Sequence, residues 1–110
     1  MIQISIYCNE KEECVGFQAE GHAGFSEAGQ DVVCAAASVL MINTINAIEA
    51  FAGDQVSVTS DESSGFIDCQ LTGKPSKEAA LLLKAMVLGL EDMAGDENYA
   101  QYINVTLKEV

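Results

Sequence analysis

The alternation of strand-like and helix-like hydrophobic patterns is the feature that most restricts the fold. Apolar residues recur with period two in Ile2 to Cys8 and in Cys14 to Gly21, around a charged turn that predicts a hairpin. The stretch from Val32 to about Ala52 is apolar on nearly every face, which predicts a helix with Asp31 as N-cap and Gly53 as its end. The first half is therefore predicted as strand, strand, helix.

The second half repeats this rhythm and adds a strand. Gln55 to Ser60 and Phe66 to Thr72 alternate across a polar turn, a helix is predicted from Ser76 to Gly95, and Tyr102 to Val110 closes the chain as a strand. The inward positions of these strands are predicted to be Val56, Val58, Ile67, Cys69, Leu71, Ile103, Val105 and Leu107. The order ββαββαβ predicts an α+β fold, with two long helices packed on a mainly antiparallel sheet of about five strands.

The chain has room for a single domain over residues 1–110, because two cores would need roughly 100 residues each. A chain of this length buries roughly two-thirds of the surface that it exposes when unfolded. We therefore expect it to fold without disulfides or a structural metal.

The charge balance is strongly acidic and excludes several kinds of partner. Seventeen acidic residues face five basic ones, all of them lysines, for a net charge of −12. Nucleic acid is a poor partner for such a surface, because phosphates are bound by clustered basic side chains. The apolar stretch from Val32 to Ile42 is shorter than the ~20 residues of a membrane span, and no basic leader begins the chain. We expect a soluble, unexported protein without membrane or nucleic-acid partners.

The cysteine pattern argues against metal binding and against disulfides. No C-x-x-C pair joins any of the four cysteines, which are Cys8, Cys14, Cys34 and Cys69. With His22 as the only histidine, the spacing of a zinc site is missing, and we expect no metal and no cofactor. Matching the apolar faces of the first two strands sets Cys8 opposite Val15 and turns Cys14 outward. Cys69 alternates with apolar residues and is interpreted as a core residue.

Cys34 and His22 form the pair with catalytic potential. A cysteine peptidase needs a thiolate, a base that accepts and returns its proton, and donors for the oxyanion. If Asp31 caps the helix, Cys34 lies in the first turn, where free N–H groups and the helix dipole favour an anionic sulfur. The same N–H groups are candidates for the oxyanion hole. His22 follows the second strand in a glycine-bearing loop that can bring its imidazole to the helix start.

Each of these residues also has a purely structural explanation. On composition alone, Cys34 is better explained as a packing residue of an apolar helix, and His22 as a surface loop residue. Asp31 either orients His22 or only caps the helix. Ser38, one turn after Cys34, either hydrogen-bonds near the site or bonds back to a helix carbonyl.

A family resemblance favours the catalytic interpretation. The segment Gly21-His22-Ala23, followed after a gap by Asp31-Val32-Val33-Cys34 and then by Ser38, resembles the signature of the bacterial ribosomal-processing cysteine proteases called Prp. The resemblance implies a cytoplasmic thiol protease, a hydrolase, with His22 and Cys34 as its catalytic dyad. It also implies supporting or substrate-binding roles for Gly21, Asp31 and Ser38.

The resemblance further implies a substrate and an assembly. In that family the substrate is the large-subunit ribosomal protein numbered twenty-seven, whose short N-terminal extension, with paired phenylalanines, is removed during ribosome biogenesis. A basic precursor suits the acidic surface, although solubility also explains that charge. Apolar residues wrap around both predicted helices, so we expect a homodimer. The family resemblance also implies a dimer. The alternatives are a non-catalytic, ribosome-associated peptide-binding or regulatory homodimer and a purely structural homodimer, in which Cys34 is only packing.

Overall fold

The predicted order of strands and helices is confirmed. A computed structural model describes residues 1–21, 28–61 and 63–110, apart from the side chains of residues 28–31. The elements are β1 (Ile2–Cys8), β2 (Cys14–Glu20), α1 (Ala28–Ala47) with a π-helical extension (Ile48–Ala52), β3 (Val56–Asp61), β4 (Phe66–Leu71), α2 (Lys77–Gly95) and β5 (Ile103–Glu109).

The five strands form one sheet in the order β3-β4-β2-β1-β5. The pairs β1/β2, β2/β4 and β3/β4 are antiparallel, and β1/β5 is parallel, so the sheet is mixed but mainly antiparallel, as predicted. The parallel pair arises because α2 carries the chain back across the sheet before β5 begins. The strands β3 and β5 are the two edges.

Both helices pack on one face of the sheet. The core consists of apolar residues from every layer, among them Ile4, Ile6, Phe17, Val33, Ala37, Met41, Ile48, Leu83, Met86 and Leu90. The opposite face is polar: the Tyr7 hydroxyl donates to Oδ1 of Asp68 at 3.1 Å, and Gln18 Nε2 donates to the same atom at 3.4 Å. The domain is therefore a two-layer α+β structure.

The ends of the helices follow the local signals in the sequence. The Ser76 hydroxyl accepts a hydrogen bond from the Ala79 amide at 3.0 Å, which is an N-cap bond, and α2 ends at Gly95. At the other helix, Gly53 adopts a left-handed conformation, with φ 76°, and its N–H donates to the Ile48 carbonyl. Both predicted helix ends and the start of α2 are confirmed.

The start of α1 corrects the sequence prediction. The helix begins at Ala28, so Asp31 lies inside its first turn and is not the N-cap. An acidic residue is favoured both as N-cap and within the first turn, where it interacts with the helix dipole. The sequence preference is therefore the same for both positions and does not separate them.

A bulge changes the pairing at the end of the first hairpin. Ile6 faces Phe17 as expected, but the register shifts between Tyr7 and Cys8, and Cys8 pairs with Cys14 rather than with Val15. Cys14 consequently packs, half-buried, against the core and does not point outward. All four cysteines are free thiols.

Two residues that were predicted to point inward are largely exposed. Leu107 on β5 is 60% exposed and Val58 on β3 is 43% exposed. Both strands are edges of the sheet. Alternation identifies the face of a strand, but it does not show whether a helix covers that face.

The length of α1 also differs from the expectation. The segment Val32–Ala52 is long and apolar enough to cross a membrane by length and composition alone, which corrects the estimate from the shorter stretch Val32–Ile42. About a third of it is buried, and buried residues such as Val33, Met41 and Ile48 belong to the domain core. These contacts identify α1 as a core helix of this domain.

Candidate active site

A cavity of about 520 Å³ lies between α1 and the sheet. One wall is formed by α1, and the other by β3, β4 and the end of β2. The residues around it are Ile2, Ala19, Gly21, Cys34, Ala37, Ser38, Met41, Ile42, Ile45, Asn46, Val58, Ser60, Asp61, Gly65, Phe66 and Ile67. Most of this lining is apolar, so the cavity suits an apolar ligand segment.

The cavity side of α1 carries a stripe of residues spaced four apart. Cys34, Ser38, Ile42 and Asn46 all line the cavity, because residues at this spacing lie on one face of a helix. The side chains of Cys34 and Ser38 are half-buried, one turn apart. The helix therefore brings a thiol and a hydroxyl to the same wall.

Gly21 directly follows β2 and lines this cavity. Its φ of 93° lies in the region that side chains disfavour, and a Cβ built there would lie 2.7 Å from the Met1 carbonyl oxygen. Both observations require glycine at this position. The predicted site residue Gly21 thus has a backbone role in the chain segment that leads towards His22.

Two predicted site residues cannot be assigned a side-chain geometry. His22 lies outside the described residues, and the backbone of Asp31 belongs to α1 while its side chain is not described. The pairing of His22 with Cys34, and any contact between Asp31 and His22, therefore remain predictions.

The position of Cys34 in the helix differs from the prediction. Because α1 begins at Ala28, Cys34 lies in the second turn and not in the first. Its N–H belongs to the hydrogen-bonded part of the helix, since only the first four N–H groups lack helical partners. The effect of the helix dipole also falls off within the first turn. The predicted first-turn position of Cys34 is therefore wrong, and so is the argument from free N–H groups and the helix dipole.

The other three cysteines are less suited to nucleophilic chemistry. Cys69 is fully buried, and its burial, with a smaller effect of Asp68, raises its pKa to about 11. Burial also raises the pKa of Cys8, with a smaller effect of Glu12. The pKa of Cys14 is raised for the same main reason. Among the four thiols, Cys34 is the one that lines the cavity.

Sequence reasoning missed the wall opposite α1. Val58 and Ile67 were predicted to point inward, but nothing indicated that α1 leaves open space beside them. Ser60, Asp61 and Phe66, at the end of the β3–β4 hairpin, were not recognised as site residues. Among the described residues, no group of three or more His, Cys, Asp or Glu is arranged to hold a metal ion.

Comparison with known proteins adds independent information. The family model "Cysteine protease Prp" matches residues 1–104. A ribosomal processing cysteine protease Prp of Staphylococcus aureus is 28% identical over 108 residues, which covers 98% of this chain and all of the relative. A protein of the same name from Bacillus subtilis is 30% identical and covers 96% of both chains.

Solved structures agree with this similarity. The crystal structure of an essential ribosomal processing protease Prp from Staphylococcus aureus, in complex with a covalently linked product peptide, has a TM-score of 0.87 at 28% identity and covers 98% of this chain and all of that one. The same enzyme with a substrate peptide has a TM-score of 0.88 at 27% identity and the same coverage. A Streptococcus mutans protein has a TM-score of 0.88 at 31% identity and covers all of this chain and 96% of that one.

Proposed function

The chain belongs to the cysteine protease Prp family and is a cysteine protease, and from this premise we propose that it removes the short N-terminal extension of the bacterial large-subunit ribosomal protein numbered twenty-seven. The observation that carries the proposal is that Cys34 lines a largely apolar cavity of about 520 Å³. Relatives named ribosomal processing proteases, one of them with a covalently linked product peptide, support it.

In the proposed mechanism, Cys34 is the nucleophile and His22 is the base. His22 takes the thiol proton, and the sulfur attacks the carbonyl carbon of the scissile bond. As the tetrahedral intermediate collapses, His22 returns the proton to the leaving amine, and a thioester links the N-terminal fragment to Cys34. Water, deprotonated by His22, then hydrolyses the thioester and releases the thiol. Gly21 positions the segment that carries His22, and Ser38 lies one helical turn from Cys34.

The lining of the cavity supports an apolar recognition segment. Met41, Ile42 and Ile45 from α1 face Val58 and Phe66 across the cavity. Aromatic side chains gain free energy when they leave water for such surroundings. Paired phenylalanines, which the family resemblance implies for the substrate, suit this lining.

The acidic surface supports a basic substrate and a cytoplasmic location. A net charge of −12 accelerates encounter with a positively charged ribosomal protein. Four free thiols are typical of proteins in a reducing compartment.

The proposed assembly is a homodimer that joins the outer faces of the helices. Val32, Val39 and Phe51 are 55%, 66% and 79% exposed, and on α2 Leu81 and Leu88 are 67% and 62% exposed. Apolar surfaces of this kind are uncommon on monomers, and a twofold contact between like helices would bury them.

Sedimentation equilibrium tests the dimer. The wild type should sediment as twice the chain mass, and Val39→Lys should shift it towards monomer, because a lysine charge would be buried in the contact. The control Leu107→Lys changes a residue of β5 with a similar exposure, 60% against 66% for Val39, and should remain dimeric. A wild type that stays at 11.7 kDa at all micromolar concentrations would exclude the dimer.

The proteolytic proposal is tested on the full-length precursor. The purified protein should trim the ribosomal protein precursor to a single shorter product, detected by mass spectrometry, whereas Cys34→Ala and His22→Ala should not. Cys8→Ala is the matched control, because it removes a thiol that does not line the cavity. A Cys34→Ala variant that still trims the precursor would refute the mechanism. Binding without cleavage by the wild type would favour the non-catalytic alternative.

A further inference from the structure

The turn of the β3–β4 hairpin borders the cavity at the same end of the strands as Gly21. Ala19 on β2 pairs with Ile67 on β4, and Asp61 on β3 pairs with Phe66. Because β2 runs antiparallel to β4, the end of β2 lies beside the start of β4 and the end of β3. Asp61 and Gly21 thus line the same cavity as Cys34.

Among the described residues that line the cavity, Asp61 is the one with a carboxylate, and hydrogen bonds orient it. Its Oδ1 accepts hydrogen bonds from the Ser63 amide at 3.0 Å and from the Ser63 hydroxyl at 2.6 Å. These bonds hold the pKa of Asp61 below its usual range, so the group is ionised at neutral pH. Hydrogen bonds from Ser64 lower this pKa further, and the Asp61 side chain is exposed, so a ligand can approach its carboxylate. In the described part of the chain, no lysine contributes to this pKa shift.

We propose that Asp61 is a specificity residue that binds a lysine or arginine side chain of the substrate peptide, next to the apolar segment in the cavity. The inference rests on the proposed proteolytic function. Among the described residues that line the cavity, the other side chains are apolar or neutral polar groups and a thiol, so a basic side chain finds its electrostatic partner at Asp61. An acidic side chain at the same place is repelled both by Asp61 and by the net charge of −12.

The size of the preference follows from the exposure of the carboxylate. Water screens an exposed ion pair, so the pair adds only modestly to the free energy of binding. The corresponding change in affinity is roughly two- to fivefold. A side-chain contact that is made equally in the bound state and in the transition state changes KM and not kcat, so we expect the effect of Asp61 in KM.

The test is a peptide series in which one lysine is moved position by position along an apolar substrate peptide. At one position, lysine should lower KM for the wild type about two- to fivefold relative to alanine. Asp61→Asn keeps an acceptor for Ser63 and removes the charge, so the lysine preference should disappear. Asp61→Lys should prefer glutamate at that position.

The control is Asp68→Asn, which removes the same charge from a residue of β4 that does not line the cavity. It should keep the lysine preference. If Asp61→Asn keeps that preference, or if Asp68→Asn abolishes it equally, the general charge of the protein is responsible and the assignment is wrong. Circular dichroism establishes that each variant is folded, and the asparagine variant is sufficient if Asp61→Lys does not fold.

Binding measured separately distinguishes this inference from the proposed function. The same labelled peptides are titrated by fluorescence anisotropy against Cys34→Ala, with and without Asp61→Asn. If the wild type cleaves no peptide but binding follows the charge at Asp61, the proteolytic proposal fails and the assignment of Asp61 stands. If cleavage occurs but neither KM nor binding depends on Asp61, the assignment fails and the proteolytic proposal stands.

Discussion

The substitution Gly21→Ala tests whether glycine is required for activity at this position of the cavity lining. With φ at 93°, alanine would adopt a left-handed conformation that costs about 1–2 kcal/mol. Its Cβ would also lie 2.7 Å from the Met1 carbonyl oxygen, which is closer than carbon and oxygen normally approach. Because the contacted atom is backbone, the start of β1 or the segment after β2 must move.

Gly73→Ala separates the conformational cost from the steric one. Gly73 has a similar φ, 83°, but nothing lies within 4 Å of the position of its Cβ. We expect Gly73→Ala to lower the free energy of unfolding by about 1–2 kcal/mol. Gly21→Ala should lose this amount and about 1–3 kcal/mol more, as other overpacked sites do.

The two variants should differ more in activity than in stability. A displacement of about 1 Å in a catalytic group costs on the order of a hundredfold in rate, so Gly21→Ala should lower kcat/KM on the ribosomal precursor by about that factor. Gly73→Ala should cleave like the wild type. Urea unfolding followed by circular dichroism gives the stabilities, and a timed cleavage assay gives kcat/KM. Equal stability and equal cleavage in the two variants would refute the argument from the Met1 contact.

Three further predictions concern the thiols, the start of α2 and the centre of the sheet. At pH ~8 the Cys69 thiol, with its pKa raised to about 11, is roughly one part in a thousand thiolate. Alkylation should therefore modify Cys34 well before Cys69, and peptide mapping that shows the reverse order would contradict this. Ser76→Ala removes the cap of α2 and should cost about 1 kcal/mol in urea unfolding at pH ~7. Hydrogen bonds from Ser76 lower the pKa of Asp54 in the folded protein. These bonds therefore stabilise the fold fully when the pH is above the pKa of Asp54 in the unfolded chain, which is about 4, and the stabilisation is lost as the pH falls through the lower pKa of the folded state. Below pH ~4 the wild type should therefore lose stability more steeply than Ser76→Ala, and parallel pH profiles would exclude this linkage. Gly16→Ala would bring a Cβ to 2.4 Å from the Cys69 carbonyl oxygen. It should lower the free energy of unfolding by about 1–3 kcal/mol. An unchanged urea midpoint would show that β2 and β4 can move apart at this point without a loss of stability.

Local signals in the sequence predicted the elements where one residue determines the structure. Ser76 caps α2 because its hydroxyl reaches an amide in the next turn, and Gly53 ends the first helical segment because it tolerates a left-handed backbone. Asp31 was assigned wrongly because an acidic residue is favoured at several positions near a helix start. The pairing of Cys8 failed because a bulge is a property of two strands together.

The motif from Gly21 to Ser38 predicted Cys34 as the reactive thiol, and Cys34 is the cysteine that lines the cavity. Helical spacing alone set Cys34 and Ser38 on one face of α1. The sequence by itself thus determined the order of the elements, the α+β class and one wall of the site. The tertiary structure decided the opposite wall, including Asp61, and left the end of β5 uncovered at Leu107. Periodicity reports which side of an element is apolar, but the area that one element covers on another depends on packing between residues far apart in the chain.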